Sequence, residues 1–205
     1  GAGSRDELPT EHGIAHFAEH GLFKGTTHRK SYQVNCRLEN LGGELNAFTT
    51  KEDTTVHATV LRNDFSKAVE LISDVVFNST FPDKELDKER EVIIDEINTY
   101  KDSPMDLIYD TFEDMLFEGS ELGHNILGTK RDLMRHNSAA LHRFVDRTYT
   151  TDQMIFASIG NISDSRIEQI ANRYFSQYPD TTRSYSRTTP TLYTPFEREH
   201  VKHTH

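Results

Sequence analysis

Two histidines one helical turn apart, His16 and His20, lie in a segment whose apolar residues recur at helical spacing. This spacing predicts a helix over residues 12–24 that ends near Gly25. The apolar positions are Ile14, Phe17, Ala18, Leu22 and Phe23. A helix of this pattern must pack against a protein core, so both imidazoles are expected close to the protein interior.

The spacing of the two histidines suits a shared metal ion, because side chains four residues apart project from one face of a helix. Glu19 lies beside them and is better placed to accept a proton from an activated water than to act as a ligand. A hydrolytic zinc site needs a third protein ligand, which can be His, Asp or Glu. Glu96 is the candidate.

A structural explanation of the same residues is open, because His and Glu pairs on a helix surface often only stabilise the helix. The apolar character of the segment favours the metal site instead, since this helix has to be packed. Six further histidines show no ligand spacing and are predicted to be surface or core residues. They are His12, His28, His57, His124, His136 and His142.

The rest of the chain predicts an α+β fold, with an antiparallel-rich mixed sheet and helices packed on one face. The β-rich segments 44–50 and 54–61 are expected to form a hairpin. Helices are predicted over 31–41, 65–78 and 84–101, from Pro104 to about 117, and over about 138–147 and 164–174, with a short strand at 154–160. A sheet of two strands is only marginally stable on its own, so the strand at 154–160 and missing upstream strands are expected to complete it.

Residues 1–178 are predicted to form one domain that lacks its first strands, because the chain opens without an initiator Met or a signal segment. Residues 179–205 are predicted to be a linker and the start of a following domain, since 179–192 are rich in Thr, Ser, Arg and Pro.

Composition excludes some classes of function. The 33 acidic and 23 basic residues give a formal charge of −10, which disfavours a nucleic-acid partner. No stretch approaches the ~20 apolar residues of a membrane span. Cys36 is the only cysteine, which rules out an intrachain disulfide and favours the cytoplasm, while leaving the periplasm or an organelle matrix open.

Three blocks of the sequence, in order, resemble the pitrilysin and mitochondrial processing peptidase family of inverted-motif zinc peptidases. The blocks are GSRDELPTEHGIAHFAEHGLFKGT, LGGELNAFTTKEDTTVHATVL and KEREVIIDEI. The resemblance implies Zn²⁺ held by His16, His20 and a glutamate about 76 residues after the second histidine, which selects Glu96. It also implies a metallopeptidase half-domain fold and a second glutamate, Glu89, that supports catalysis at the site.

The resemblance implies that Asn46, Ala47 and Phe48 lie on an edge strand that pairs with unfolded peptide substrates. It further implies a homologous C-terminal domain in the same full-length chain and, often, a homodimer. Two departures from the family pattern are expected to alter packing near the site: Gly21 replaces a bulky apolar residue, and Ser120-Glu121 replaces His-Pro.

These features favour a zinc metalloendopeptidase domain with Glu19 as general base. The alternative is a catalytically silent module of the same fold that binds peptides or has a structural role. The presence of His16, Glu19, His20 and Glu96 together argues against a silent module. The isolated chain is nevertheless expected to be inactive or weakly active, because the second domain is absent.

Overall fold

The computed structural model describes residues 1–190, which form eight helices and one β-hairpin. The helices are α1 (Ile14–Leu22), α2 (Ser31–Glu39), α3 (Phe65–Asn78), α4 (Asp83–Lys101), α5 (Pro104–Leu116), α6 (Lys130–Leu133), α7 (Ser138–Thr148) and α8 (Asp164–Phe175). The strands are β1 (Glu44–Thr49) and β2 (Thr54–Thr59). Short 3-10 turns occupy Ser4–Asp6, Arg62–Asp64 and Thr151–Gln153.

The hairpin forms an antiparallel sheet in which Glu44 pairs with Thr59 and Thr49 with Thr54. Exposed and half-buried residues alternate along β1, as expected of a strand with one solvated face. Within residues 1–190, β2 is the only strand that pairs with β1, so the other edge of β1 has no partner. Such an edge presents unpaired backbone groups.

Helix α1 lies at the centre of the molecule, in contact with β1, α4 and α7. Its apolar side chains are all buried, and Ile14, Phe17 and Leu22 are completely inaccessible to solvent. The core continues through α2, α3, α4 and α7. The helix that bears the two histidines is therefore held rigidly from several sides.

The predicted α+β class is confirmed as a mostly helical domain with a small antiparallel sheet. The hairpin and the longer helices form where the sequence predicts them, with ends shifted by a few residues. The four-residue helix α6 was not predicted, because it is too short to show a periodic pattern.

The predicted strand at 154–160 is wrong for the described residues. This segment has no strand structure, and the side chains of Ile155 and Ile159 are 94% and 103% exposed. The apolar pattern favours a strand, but no neighbouring strand within residues 1–190 is placed to take its hydrogen bonds.

Residues 179–190 have no helix or strand, and they contact the start of the chain and the turn at Thr151–Gln153. Arg187 forms an ion pair with buried Asp6 at 2.8 Å, and the Thr181 carbonyl accepts a hydrogen bond from the backbone N–H of Asp152 at 3.1 Å. The division at residue 179 stays a prediction, and the last part of the predicted linker and following domain, 191–205, lies outside the described residues. No helix within residues 1–190 is both long enough and apolar enough to span a membrane.

Candidate metal centre

Gly13, whose φ of 83° favours glycine, is the N-cap of helix α1, and a buried carboxylate accepts hydrogen bonds from N–H groups at the start of this helix. Glu7 accepts hydrogen bonds from the backbone N–H of Gly13 at 3.0 Å and of Ala15 at 2.9 Å. His124 Nε2 lies 2.9 Å from Glu7 Oε2. Burial raises the pKa of Glu7, although these three contacts oppose the rise. Glu7 thus fixes the start of the helix that carries His16 and His20.

His16, His20 and Glu96 converge on one point between α1 and α4. The Nε2 atom of each histidine lies 3.7 Å from Glu96 Oε2. Within residues 1–190, these three residues are the one group of metal-binding side chains whose ligand atoms all lie within 4.8 Å of one another. His16 is buried, whereas the side chain of Glu96 is 45% exposed, so the group is open to solvent on the α4 side.

The donor set fits zinc in its chemistry and spacing. Two imidazole nitrogens and one carboxylate oxygen are a usual ligand set of hydrolytic zinc sites. Ligand atoms around a tetrahedral zinc lie about 3.3 Å apart. The two separations from Glu96 Oε2 are 3.7 Å and all three ligand atoms lie within 4.8 Å of one another, so side-chain adjustments would bring them to this spacing. Burial, with added repulsion from His20, lowers the pKa of His16 to about 3, so its imidazole is neutral and can bind a metal.

Glu89 orients His20 from the side opposite Glu96. Its Oε1 lies 2.7 Å from His20 Nδ1, and its Oε2 lies 2.5 Å from Lys24 Nζ. Burial raises the pKa of Glu89, but the contacts with His20 and Lys24 outweigh it, and the net pKa is lowered. An ionised carboxylate only accepts, so His20 Nδ1 donates to Glu89 and Nε2 faces Glu96.

Glu19 follows His16 by three residues and contacts the end of β1. Thr49 Oγ1 donates a hydrogen bond to Glu19 Oε2 at 2.6 Å. Burial raises the pKa of Glu19, and the charge of Glu96 adds to this rise, whereas Thr49 and His20 oppose it. A carboxylate with a raised pKa is a better proton acceptor near neutral pH.

The predicted peptide-binding residues lie on β1, whose last residue contacts Glu19. Asn46 and Phe48 are exposed, and Ala47 is half-buried. The Ala47 N–H, on the unpaired edge of the strand, is capped by Asn46 Oδ1 at 2.8 Å. The structure thus brings the predicted edge strand and the predicted general base together.

The family model described as Insulinase (Peptidase family M16) matches residues 1–130, which is more than half of the chain. The chain belongs to this family. A second model, described as Peptidase M16 inactive domain, matches residues 136–204. The predicted family resemblance is therefore confirmed.

Curated relatives of this M16 chain include proteins named as zinc proteases. An uncharacterized zinc protease of Bacillus subtilis, YmxG, is 38% identical over 178 residues, covering 87% of this chain and 43% of the relative. The β subunit of the mitochondrial processing peptidase of Neurospora crassa is 32% identical over 180 residues, covering 88% of this chain and 38% of the relative. The chain thus spans about two fifths of the length of these relatives.

Solved structures show the same fold as this M16 chain. The periplasmic protease PqqL of Escherichia coli matches with a TM-score of 0.83 at 25% identity, covering 93% of this chain and 22% of that chain. A protease from Helicobacter pylori matches with a TM-score of 0.82 at 22% identity, covering 93% of this chain and 46% of that chain.

Sequence reasoning missed three residues that support the M16 site: Glu7, Lys24 and Thr49. Glu7 lies within the first block that carries the family resemblance, which is a signal for it, but its six-residue distance from Gly13 is not a usual capping spacing. Lys24 and Thr49 also lie in those blocks, but they reach their partners only through tertiary contacts.

The departure at Gly21 is explained by a neighbouring aromatic ring. A Cβ atom at Gly21 would lie 2.6 Å from Phe81 Cδ1 and 3.3 Å from Leu141 Cδ2. Phe81 is 1% exposed and has a φ of 45°, which is uncommon for a residue other than glycine. Phe81 therefore occupies the space that a larger side chain at Gly21 would need.

Proposed function

We propose that this M16 chain is the zinc-binding domain of a metalloendopeptidase, in which His16, His20 and Glu96 hold one Zn²⁺. The observation that carries the proposal is the convergence of two imidazoles and one carboxylate beside a fourth group, Glu19, that is suited to proton transfer. The zinc proteases among the relatives support the same conclusion.

When bound, a zinc ion supplies Lewis acidity, which lowers the pKa of water and polarises a peptide carbonyl. Glu19 takes a proton from the attacking water and passes it to the leaving amine, so the peptide bond is broken without a free strong acid or base. Glu89 supports the reaction by holding His20 in the tautomer that has Nε2 free.

We propose extended, unfolded peptides as substrates, bound along Asn46, Ala47 and Phe48. An edge strand satisfies the backbone of any extended peptide, which gives affinity with little demand on sequence. The exposed side chain of Phe48 offers apolar contact to such a peptide. A homologous C-terminal domain is a proposed partner, since this chain spans only about two fifths of the length of its relatives. A homodimer is proposed from the family resemblance alone.

The test is the variant Glu19→Gln, compared with Glu91→Gln, which alters an exposed glutamate on α4. Glu19→Gln should retain zinc and lose turnover of a fluorogenic peptide by about 10²–10⁴-fold, because an amide cannot take up the proton. Glu91→Gln should behave as wild type. We expect the isolated 205-residue chain to turn over slowly or not at all, so the assay uses a form that includes the proposed C-terminal domain.

Three outcomes would contradict the proposed function. Turnover that survives in Glu19→Gln would remove Glu19 from the chemistry. Zinc lost in that variant would make Glu19 a ligand. A zinc-loaded wild type that binds peptides without cleaving them would instead indicate a silent peptide-binding module.

A further inference from the structure

Thr49 is the last residue of β1, and its hydroxyl bonds the proposed general base. Thr49 Oγ1 donates to Glu19 Oε2 at 2.6 Å. Within the part of the chain that the structure describes, this is the one hydrogen bond to the Glu19 carboxylate, and it engages Oε2 alone. Among the described residues, Glu19 Oε1 is thereby left without a hydrogen bond.

The direction of this hydrogen bond follows from its neighbours. Thr54 Oγ1 lies 3.4 Å from Thr49 Oγ1, but its own proton is donated to the Ala2 carbonyl at 2.9 Å. An ionised Glu19 can only accept, so the Thr49 proton points at it. The β-branched side chain of Thr49 has few χ1 rotamers, which limits the positions that its hydroxyl can take.

The backbone of Thr49 faces the unpaired edge of the same strand. Thr50 N–H donates to the Asp53 carbonyl at 2.8 Å, in register with the hairpin. Ladder bonds alternate along an antiparallel pair, so the adjacent pair Thr49–Thr54 directs its backbone N–H and C=O groups away from the partner strand. Among residues 1–190, no strand takes the outward groups of Thr49.

We propose that Thr49 is a positioning residue that couples the pairing of a peptide along β1 to the orientation of Glu19. The inference rests on the proposed function. A peptide that bonds the outward backbone groups of Thr49 fixes the end of β1, and the hydroxyl of the same residue then holds Glu19 in one orientation. The effect falls on turnover rather than on affinity, because the Thr49 hydroxyl bonds the enzyme and not the peptide.

The experiment compares Thr49→Val, which removes the donor at similar volume, with Thr49→Ser, which keeps it. Thr59→Val is the matched control, since Thr59 is exposed on the other strand of the hairpin. In the full-length zinc-loaded protein, Thr49→Val should lower kcat by about 10–100-fold with KM unchanged, as expected for a small misplacement of a catalytic group. Thr49→Ser should recover most of kcat, and Thr59→Val should match wild type.

Two further readouts separate positioning from a structural role. Bound zinc, and the Kd of an uncleaved peptide for the metal-free protein, should be the same in Thr49→Val and wild type. In a Glu19→Gln background, Thr49→Val should lower kcat no further, because both changes act through one carboxylate.

The coupling is overturned if Thr49→Val keeps the wild-type kcat, if Thr49→Ser is as slow as Thr49→Val, or if Thr49→Val loses zinc. Full activity of Glu19→Gln alone would overturn the proposed function as well. A slow Glu19→Gln beside a fully active Thr49→Val would overturn the coupling only.

Discussion

His20 and Glu89 are joined by a contact of 2.7 Å between Nδ1 and Oε1, on the side of the imidazole opposite Glu96. Glu89 and Glu96 are seven residues apart on α4, about two helical turns, so one helix face carries both carboxylates. Helix α4 thus supplies the third proposed ligand together with the group that orients the second. On the proposed function, metal affinity therefore depends on a residue that is not itself a ligand.

Glu89→Ala should therefore weaken zinc binding by about 10–100-fold while leaving the fold intact, because His20 loses the acceptor that sets its tautomer. The measurement is competition for zinc with a chromophoric chelator. Glu91→Gln, on an exposed face of the same helix, should bind zinc as wild type does. Unchanged affinity in Glu89→Ala would contradict the orienting role of Glu89.

Phe81 packs against Gly21, so the effect of Gly21→Ala on the free energy of unfolding should change sign when Phe81 is replaced by alanine. Gly21→Ala should destabilise the protein by about 1–3 kcal/mol, because the new methyl group collides with a buried ring. In a Phe81→Ala background, Gly21→Ala should instead be stabilising by about 1 kcal/mol, since the space is vacated and Ala favours a helix. Urea unfolding of the four proteins measures this coupling, and equal effects in both backgrounds would contradict it.

The surroundings of Asp74, which lies outside the proposed metal site, predict that the stability of the protein depends on pH. This carboxylate, with a side chain only 4% exposed, contacts Thr26, His28, Arg29 and Asn78. Burial raises the pKa of Asp74, but hydrogen bonds from His28, Thr26, Arg29 and Asn78 outweigh it, and the net pKa is lowered. As the pH falls, Asp74 is therefore protonated at a higher pH in the unfolded chain than in the folded protein. The contribution of Asp74 to stability is lost as the pH falls below about 4.

Asp74→Asn should lower the free energy of unfolding by about 2 kcal/mol at pH 7, because hydrogen bonds to a charged acceptor are lost. The deficit should shrink as the pH falls below about 4, because the unfolded wild-type chain then takes up a proton that the folded protein does not. Urea unfolding between pH 7 and pH 3 is the measurement. The side chain of Asp87 is 70% exposed, so the control Asp87→Asn should have little effect on the free energy of unfolding at any pH. A constant deficit for Asp74→Asn across this range would be inconsistent with the lowered pKa.

Local periodicity explains how much of the fold could be predicted. The helix of His16 and His20, the long helix α4 and the hairpin each carry a repeat within a short window, so their existence follows from the sequence. The segment 154–160 shows the limit of this approach. Its apolar pattern describes a strand, but a strand also needs a neighbour, and the pattern does not contain one.

The residues of the site could likewise be predicted from the sequence only where they lie close together along the chain. His16, Glu19 and His20 lie within one turn of helix, so their convergence is a local property. Glu96 lies 76 residues after His20, and only the family resemblance selected it, because the approach of α4 to α1 depends on the packed core. Thr49 has no local signal for its contact with Glu19, since that contact joins a strand end to a helix 30 residues away.

The central claim is that His16, His20 and Glu96 hold one zinc ion, and elemental analysis of zinc-loaded, desalted protein tests it most directly. Wild type and the Glu91→Gln control should retain about one zinc per chain, whereas His16→Ala, His20→Ala and Glu96→Ala should each retain little, because three ligands are the minimum for such a site. Circular dichroism of each variant checks that the fold is intact. A folded His20→Ala protein that retains as much zinc as wild type would contradict the claim.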